Sequence, residues 1–114
     1  MEAKDLMIGD WVICNHYLDK PFYHRFGLVD FIKGDYDFCE PIPLTPEILE
    51  KNGFCQYGDI FKIDGDGFEI QIRLGMYVRV FNGMDNTCNF KTDFYIHNLQ
   101  HALRMCKINK EILL

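Results

Sequence analysis

The chain has no serine among its 114 residues. A Ser-His-Asp nucleophile is therefore excluded. Cysteine pairs at metal or redox spacing are missing too. Cys14, Cys39, Cys55, Cys88 and Cys106 form an odd set with no C-x-x-C, so neither a zinc knuckle nor a thioredoxin-type site is signalled. No apolar run approaches the roughly 18 residues of a membrane-spanning helix. The start, Met1-Glu2-Ala3-Lys4-Asp5, lacks the basic flank and apolar stretch of a secretory leader. The glycines spell no phosphate-binding fingerprint, because Gly65-Asp66-Gly67 sits in a hairpin pattern and not before a helix. These absences predict a reducing cytoplasm, mostly buried thiols, no membrane partner and no cofactor.

What is present is apolar and aromatic. Hydrophobic residues make up 48% and aromatics 15%, enough apolar area to offset the entropy of ordering, so global disorder is excluded. The length fits a single domain over residues 1–114. The aromatic load implies either a ring-rich core or rings exposed on a binding face. Net charge is −5 and uneven: residues 1–70 hold six basic against fourteen acidic side chains, residues 71–114 six against three. An acidic whole disfavours non-specific nucleic-acid binding, while the C-terminal part keeps a basic face open.

The pattern predicts an α+β fold. Gly9-Asp10 turns into a strand at Trp11-Val12-Ile13-Cys14. A second strand spans Phe22–Ile32, broken at Gly27, and a third short one covers Asp37–Glu40. Pro41 to Leu44 must be extended. A helix over about 46–52 follows, with Thr45 as N-cap, Pro46 at the first helical position, Gly53 at the left-handed stop and Phe54 folding back on Leu49. Ile60–Ile63, Phe68–Leu74 and Met76–Asn82 alternate with period two and predict an antiparallel meander. Gly83–Thr92 reads as a polar loop, about 94–106 as a second helix capped by Asp93, and Glu111–Leu114 as a final short strand. The expected architecture is a curved, mostly antiparallel sheet, open or partly closed as an SH3-like barrel, packed on two helices.

Few residues carry chemistry. His97 and His101 have the i, i+4 spacing of a zinc-protease helix, but the general-base glutamate is replaced by Asn98, and an amide cannot take a proton from water. The stripe Tyr95, Ile96, Leu99, Ala102, Leu103 and Cys106 leaves the histidines on a polar face with Gln100 and Arg104. A metal there needs a third ligand such as His16, His24 or a carboxylate. Asp64-Gly65-Asp66-Gly67 lacks the ligand spacing of a calcium loop and reads as a hairpin turn. Trp11 is expected to anchor the core, although Gly9-Asp10-Trp11-Val12 also suits the opening of an SH3-like barrel. Cys88 is the best-placed thiol for a Cys-His nucleophile, without any local signature.

Several stretches resemble one family. Ala3 to Val12, the block Glu40-Pro41-Ile42-Pro43-Leu44-Thr45-Pro46-Glu47-Ile48-Leu49-Glu50-Lys51-Asn52-Gly53-Phe54, and the Leu99-Gln100 helix are similar to small uncharacterised proteins of Bacteroides-type bacteria, often prophage- or mobile-element-associated. The resemblance implies a bacterial cytoplasmic setting and no assigned reaction. The functional expectation is a non-enzymatic protein-binding or assembly module, acting on a protein partner or as a homo-oligomer. The first alternative is a nucleic-acid-associated protein using Arg73, Arg79, Lys91 and Arg104. The second is a metal-dependent hydrolase built on His97 and His101.

Overall fold

The computed structural model describes residues 6–14, 22–27, 39–65, 67–83, 86–92 and 94–114. The chain divides into two compact units, Met1–Pro43 with Tyr95–His97, and Leu44–Phe94 with Asn98–Leu114.

The first unit holds a three-stranded antiparallel sheet of order β2-β1-β3, made of β1 (Trp11–Cys14), β2 (Phe22–Arg25) and β3 (Cys39–Pro41). The Gly-Asp turn forms as the sequence implies. Gly9 takes φ 93°, a conformation costly for a side chain. The Asp10 carboxylate accepts from the Met7 N–H at 2.8 Å, satisfying the turn while Asp10 itself is buried. Leu6, Val12, Cys14, Phe26 and Cys39 form the core beneath. Trp11 is half-buried, with the Arg25 guanidinium 5.4 Å from its ring centroid. The anchor of this core is Val12 and not Trp11 as expected, because strand alternation turns residue 12 inward and residue 11 outward. Of the strand expected over Phe22–Ile32, the described part ends at Arg25, and residues 28–32 lie outside the described residues.

The second unit opens with α1 (Pro46–Lys51). Its punctuation matches the sequence. Thr45 is extended and its Oγ1 accepts from the Ile48 N–H at 3.3 Å. Gly53 takes φ 90°, and the N–H groups of Phe54 and Gly53 return to the carbonyls of Leu49 and Glu50. That is a Schellman stop, and both Leu49 and Phe54 are buried. Ile48 is half-buried.

A five-stranded antiparallel meander follows, in the order β4 (Cys55–Tyr57), β5 (Ile60–Gly65), β6 (Phe68–Arg73), β7 (Tyr77–Asn82) and β8 (Asn86–Phe90). Ile70, Ile72, Val78 and Val80 are wholly buried on one face. Each such side chain contributes about 1.5–3 kcal/mol. α2 (Ile96–Met105) brings Leu99, Ala102, Leu103 and Cys106, all buried as the stripe predicts. Its C-terminal end lies on β7, where the Cys106 thiol is 3.9 Å from the Val80 carbonyl oxygen and the Asn82 side-chain amide donates to the Cys106 carbonyl at 2.6 Å.

Four expectations need correction. The single sheet is two sheets, and the described strands do not close into a barrel. β4 carries no periodic sequence signal, because Cys55-Gln56-Tyr57 is short and exposed. The polar loop over Gly83–Thr92 is largely β8, whose pairing with β7 sets Cys88 opposite Val80 and Phe90 opposite Val78. Polar composition hid an edge strand held by its neighbour's ladder. Glu111–Leu114 forms no strand; Ile112 is buried and Leu113 is held by Asn52. The proposed cap Asp93 lies outside the described residues.

Candidate functional site

Alternation fixes what the two faces of the large sheet carry. Phe61, Ile70, Ile72, Val78 and Val80 turn toward the α2 side and are buried. Their neighbours along each strand turn the other way. On that outer face the cross-strand partners form one row across all five strands: Cys55, Lys62, Gln71, Arg79 and Asn89. Beside it Tyr57 pairs with Ile60, and Arg73 with Tyr77. On the other side Asp64 pairs with Glu69, Glu69 with Phe81, and Phe81 with Thr87.

This face mixes rings with cations. Tyr57 is 64% exposed, against half-buried Ile60, Tyr77 and Phe81. The Arg79 guanidinium stands 4.2 Å from the Tyr77 ring centroid, a cation–π contact that holds its fork over the sheet. Arg73 lies 3.7 Å from the Asp59 carboxylate. Lys62 Nζ reaches Glu69 at 2.8 Å and Asp64 at 3.9 Å. The hydrogen bond from Lys62 lowers the Glu69 pKa, and the same bond together with the Asp64 charge raises that of Lys62. Tyr57, Ile60, Lys62 and Gln71 line a shallow depression of about 220 Å³. That is room for one side chain and less than a drug-sized ligand takes.

The four expected basic residues separate. Arg73 and Arg79 share the outer face, and exposed Lys91 follows β8. Arg104 is exposed on α2, the helix that covers the opposite side of the sheet, so the four make no single basic face. Tyr57 and the Lys62–Glu69 pair escaped the sequence reading. The tight Gly58-Asp59 turn between Tyr57 and Ile60 signals Tyr57, and the hairpin joining β5 to β6 signals the Lys62–Glu69 pair.

The histidine pair also differs from expectation. His97 is buried rather than solvent-facing, as is Gln100, and the Tyr95 ring stacks on the imidazole with centroids 5.9 Å apart. His101 is half-buried. An apolar stripe shows which side of a helix packs best, not how far its neighbours wrap around it. Among the described residues no group of three His, Cys, Asp or Glu side chains is placed to hold a metal ion; His16 lies outside them.

Cys14, Cys39 and Cys106 are buried, Cys88 is half-buried on β8, and Cys55 is exposed. Burial pushes the Cys106 thiol pKa up, with a smaller contribution from Cys88. Cys88 lies in β8 and not in the loop expected over Gly83–Thr92. No described helix is long and apolar enough to cross a membrane. No protein-family model, curated protein or solved structure matches the chain.

Proposed function

We propose that the chain is a non-enzymatic binding module whose working surface is the outer face of the five-stranded sheet. Its partner is a protein that brings an apolar side chain to the depression beside Tyr57 and a carboxylate to Arg79. The observation that carries this reading is the coincidence on one face of a 64% exposed tyrosine, a side-chain-sized depression and an arginine held over a ring. Aromatic and arginine side chains are the commonest anchors of protein interfaces. Gln71 and Asn89, the cross-strand neighbours of Arg79, bring amides and no competing carboxylate. A bacterial cytoplasmic setting, with a phage-related origin, belongs to the same proposal and rests on the Pro-Leu-Thr-Pro-Glu resemblance.

A single-stranded nucleic acid is the second reading, favoured by Arg73 and Arg79 flanking Tyr77 on that face. It is weaker because Asp59, Asp64 and Glu69 lie close to Arg73 and Lys62 and offset the field that phosphates need. The hydrolase reading has no comparable support, since His97 is buried and no third ligand joins the pair among the described residues.

The test is capture from host lysate with wild-type protein and a Tyr57→Ala/Arg79→Glu variant, each with and without nuclease. A protein captured by wild type, resistant to nuclease and lost with the variant supports the proposal. Capture that survives the variant overturns the assignment to this face. Loss on nuclease treatment transfers the face to the nucleic-acid reading.

A further inference from the structure

We propose that Cys14 and Cys39 form a reversible cross-strand disulfide that locks β1 to β3. The two residues are 25 apart in sequence and directly opposite in the antiparallel register. Their sulfur atoms lie 3.7 Å apart in the buried core of the first unit.

The backbone places the pair at the position that suits such a bond. The Phe26 N–H donates to the Asp10 carbonyl at 2.7 Å, so residue 10 directs its backbone groups toward the β2 side. Alternation sends residues 12 and 14 the same way. Facing β3, the pairs Val12–Pro41 and Cys14–Cys39 are therefore of the non-hydrogen-bonded kind. Pro41 has no N–H to give and fits there. In such pairs the Cα atoms approach to about 4.5 Å and the side chains are closest, within the span a disulfide bridges. Closure then takes small side-chain rotations and no change of register.

The chemistry is thiol–disulfide exchange with a small disulfide such as oxidised glutathione. One cysteine, as thiolate, attacks a sulfur of the oxidant, forms a mixed disulfide and expels one glutathione thiolate. The second cysteine, having given up its proton to water, attacks the protein sulfur of that mixed disulfide and expels the other. The two protein thiols together lose two electrons and two protons, and the oxidant becomes two thiols. Both sulfurs are buried, but Cys14 is the last residue of β1 and Cys39 the first of β3, so fraying of the ladder end suffices to admit the oxidant.

The experiment equilibrates the full chain in glutathione buffers of rising oxidised fraction, quenches with acid, blocks remaining thiols with N-ethylmaleimide and maps linked peptides by mass spectrometry. The expected result is a Cys14–Cys39 link in monomeric protein, formed before any other internal pair and reversed by dithiothreitol. The linked protein is expected to melt higher by on the order of 5–10 °C, because the crosslink restricts the unfolded chain. Cys39→Ser abolishes both the link and the shift. Recovery of Cys14 and Cys39 as maleimide adducts, at a poise where exposed Cys55 already carries glutathione, overturns the proposal, as does pairing of either with a different cysteine. The wild-type map decides even if Cys39→Ser does not fold.

Discussion

The Asn52 side chain grips the backbone of Leu113 at both ends of its amide. Its Nδ2 donates to the Leu113 carbonyl at 2.8 Å, and its Oδ1 accepts from the Leu113 N–H at 2.7 Å. The same Nδ2 donates to the Ile48 carbonyl at 2.8 Å. One buried residue thus closes α1 and fastens the C-terminal tail, 61 positions away. Without an amide there, the Leu113 N–H and carbonyl lose this shared partner. Asn52→Ala is expected to cost about 2–3 kcal/mol in urea unfolding, with faster amide exchange at Leu113. A loss no larger than that of an exposed-site substitution refutes the clamp.

Both described helices end in a Schellman turn, but with different residues at the left-handed position. α1 uses Gly53, whereas α2 uses Lys107 at φ 58°, where the Lys107 and Ile108 N–H groups return to Arg104 and Leu103. A side chain there carries a steric cost that glycine avoids. Lys107→Gly is expected to raise stability by about 0.5–1 kcal/mol, read as a higher urea midpoint at unchanged slope.

Gly65 and Phe68 face each other across the β5–β6 hairpin. A Cβ at Gly65 would overlap the Phe68 ring, which covers the glycine and occupies its missing side-chain space. Gly65→Ala is expected to destabilise by roughly 1–3 kcal/mol by displacing that ring. In a Phe68→Ala background the same change is expected to be neutral or stabilising, a coupling that a double-mutant cycle measures directly.

Lys62 and Glu69 give a pH signature of known sign. The folded Glu69 pKa lies below its ordinary 4.5, so its contribution is present above that value and lost as pH falls through the folded pKa. The folded Lys62 pKa lies above its ordinary 10.5, so its contribution is complete below that value and lost as pH rises through the folded pKa. The pair therefore acts across the whole neutral range, weakly, because the side chains keep 36% and 32% of their surface in water. In Lys62→Gln the Glu69 carboxyl, followed by NMR, is expected to titrate at higher pH than in wild type. An unmoved midpoint rules out Lys62 as the cause.

Local chemistry made much of the second unit legible. Thr45, Pro46 and Gly53 announce α1 because each satisfies or terminates a helix with its own atoms and neighbours. Ile70 and Ile72 announce β6 because alternation is a property of the strand itself. The Leu99–Cys106 stripe gives the packed side of α2 for the same reason.

What required the tertiary structure has no local cause. β8 is a strand because β7 offers it a ladder; its composition alone reads as loop. His97 is buried by what packs around α2, which the periodicity of the helix does not contain. Arg73 joins Arg79 on one face while Arg104 falls on the far side, a division made by sheet register and helix placement. Cys14 meets Cys39 only through the pairing of β1 with β3. The sequence by itself determined the elements whose turns, caps and periods are written within a few neighbouring residues. Their juxtaposition, and with it every candidate site, was decided by hydrogen-bonded pairing and burial between segments far apart in the chain.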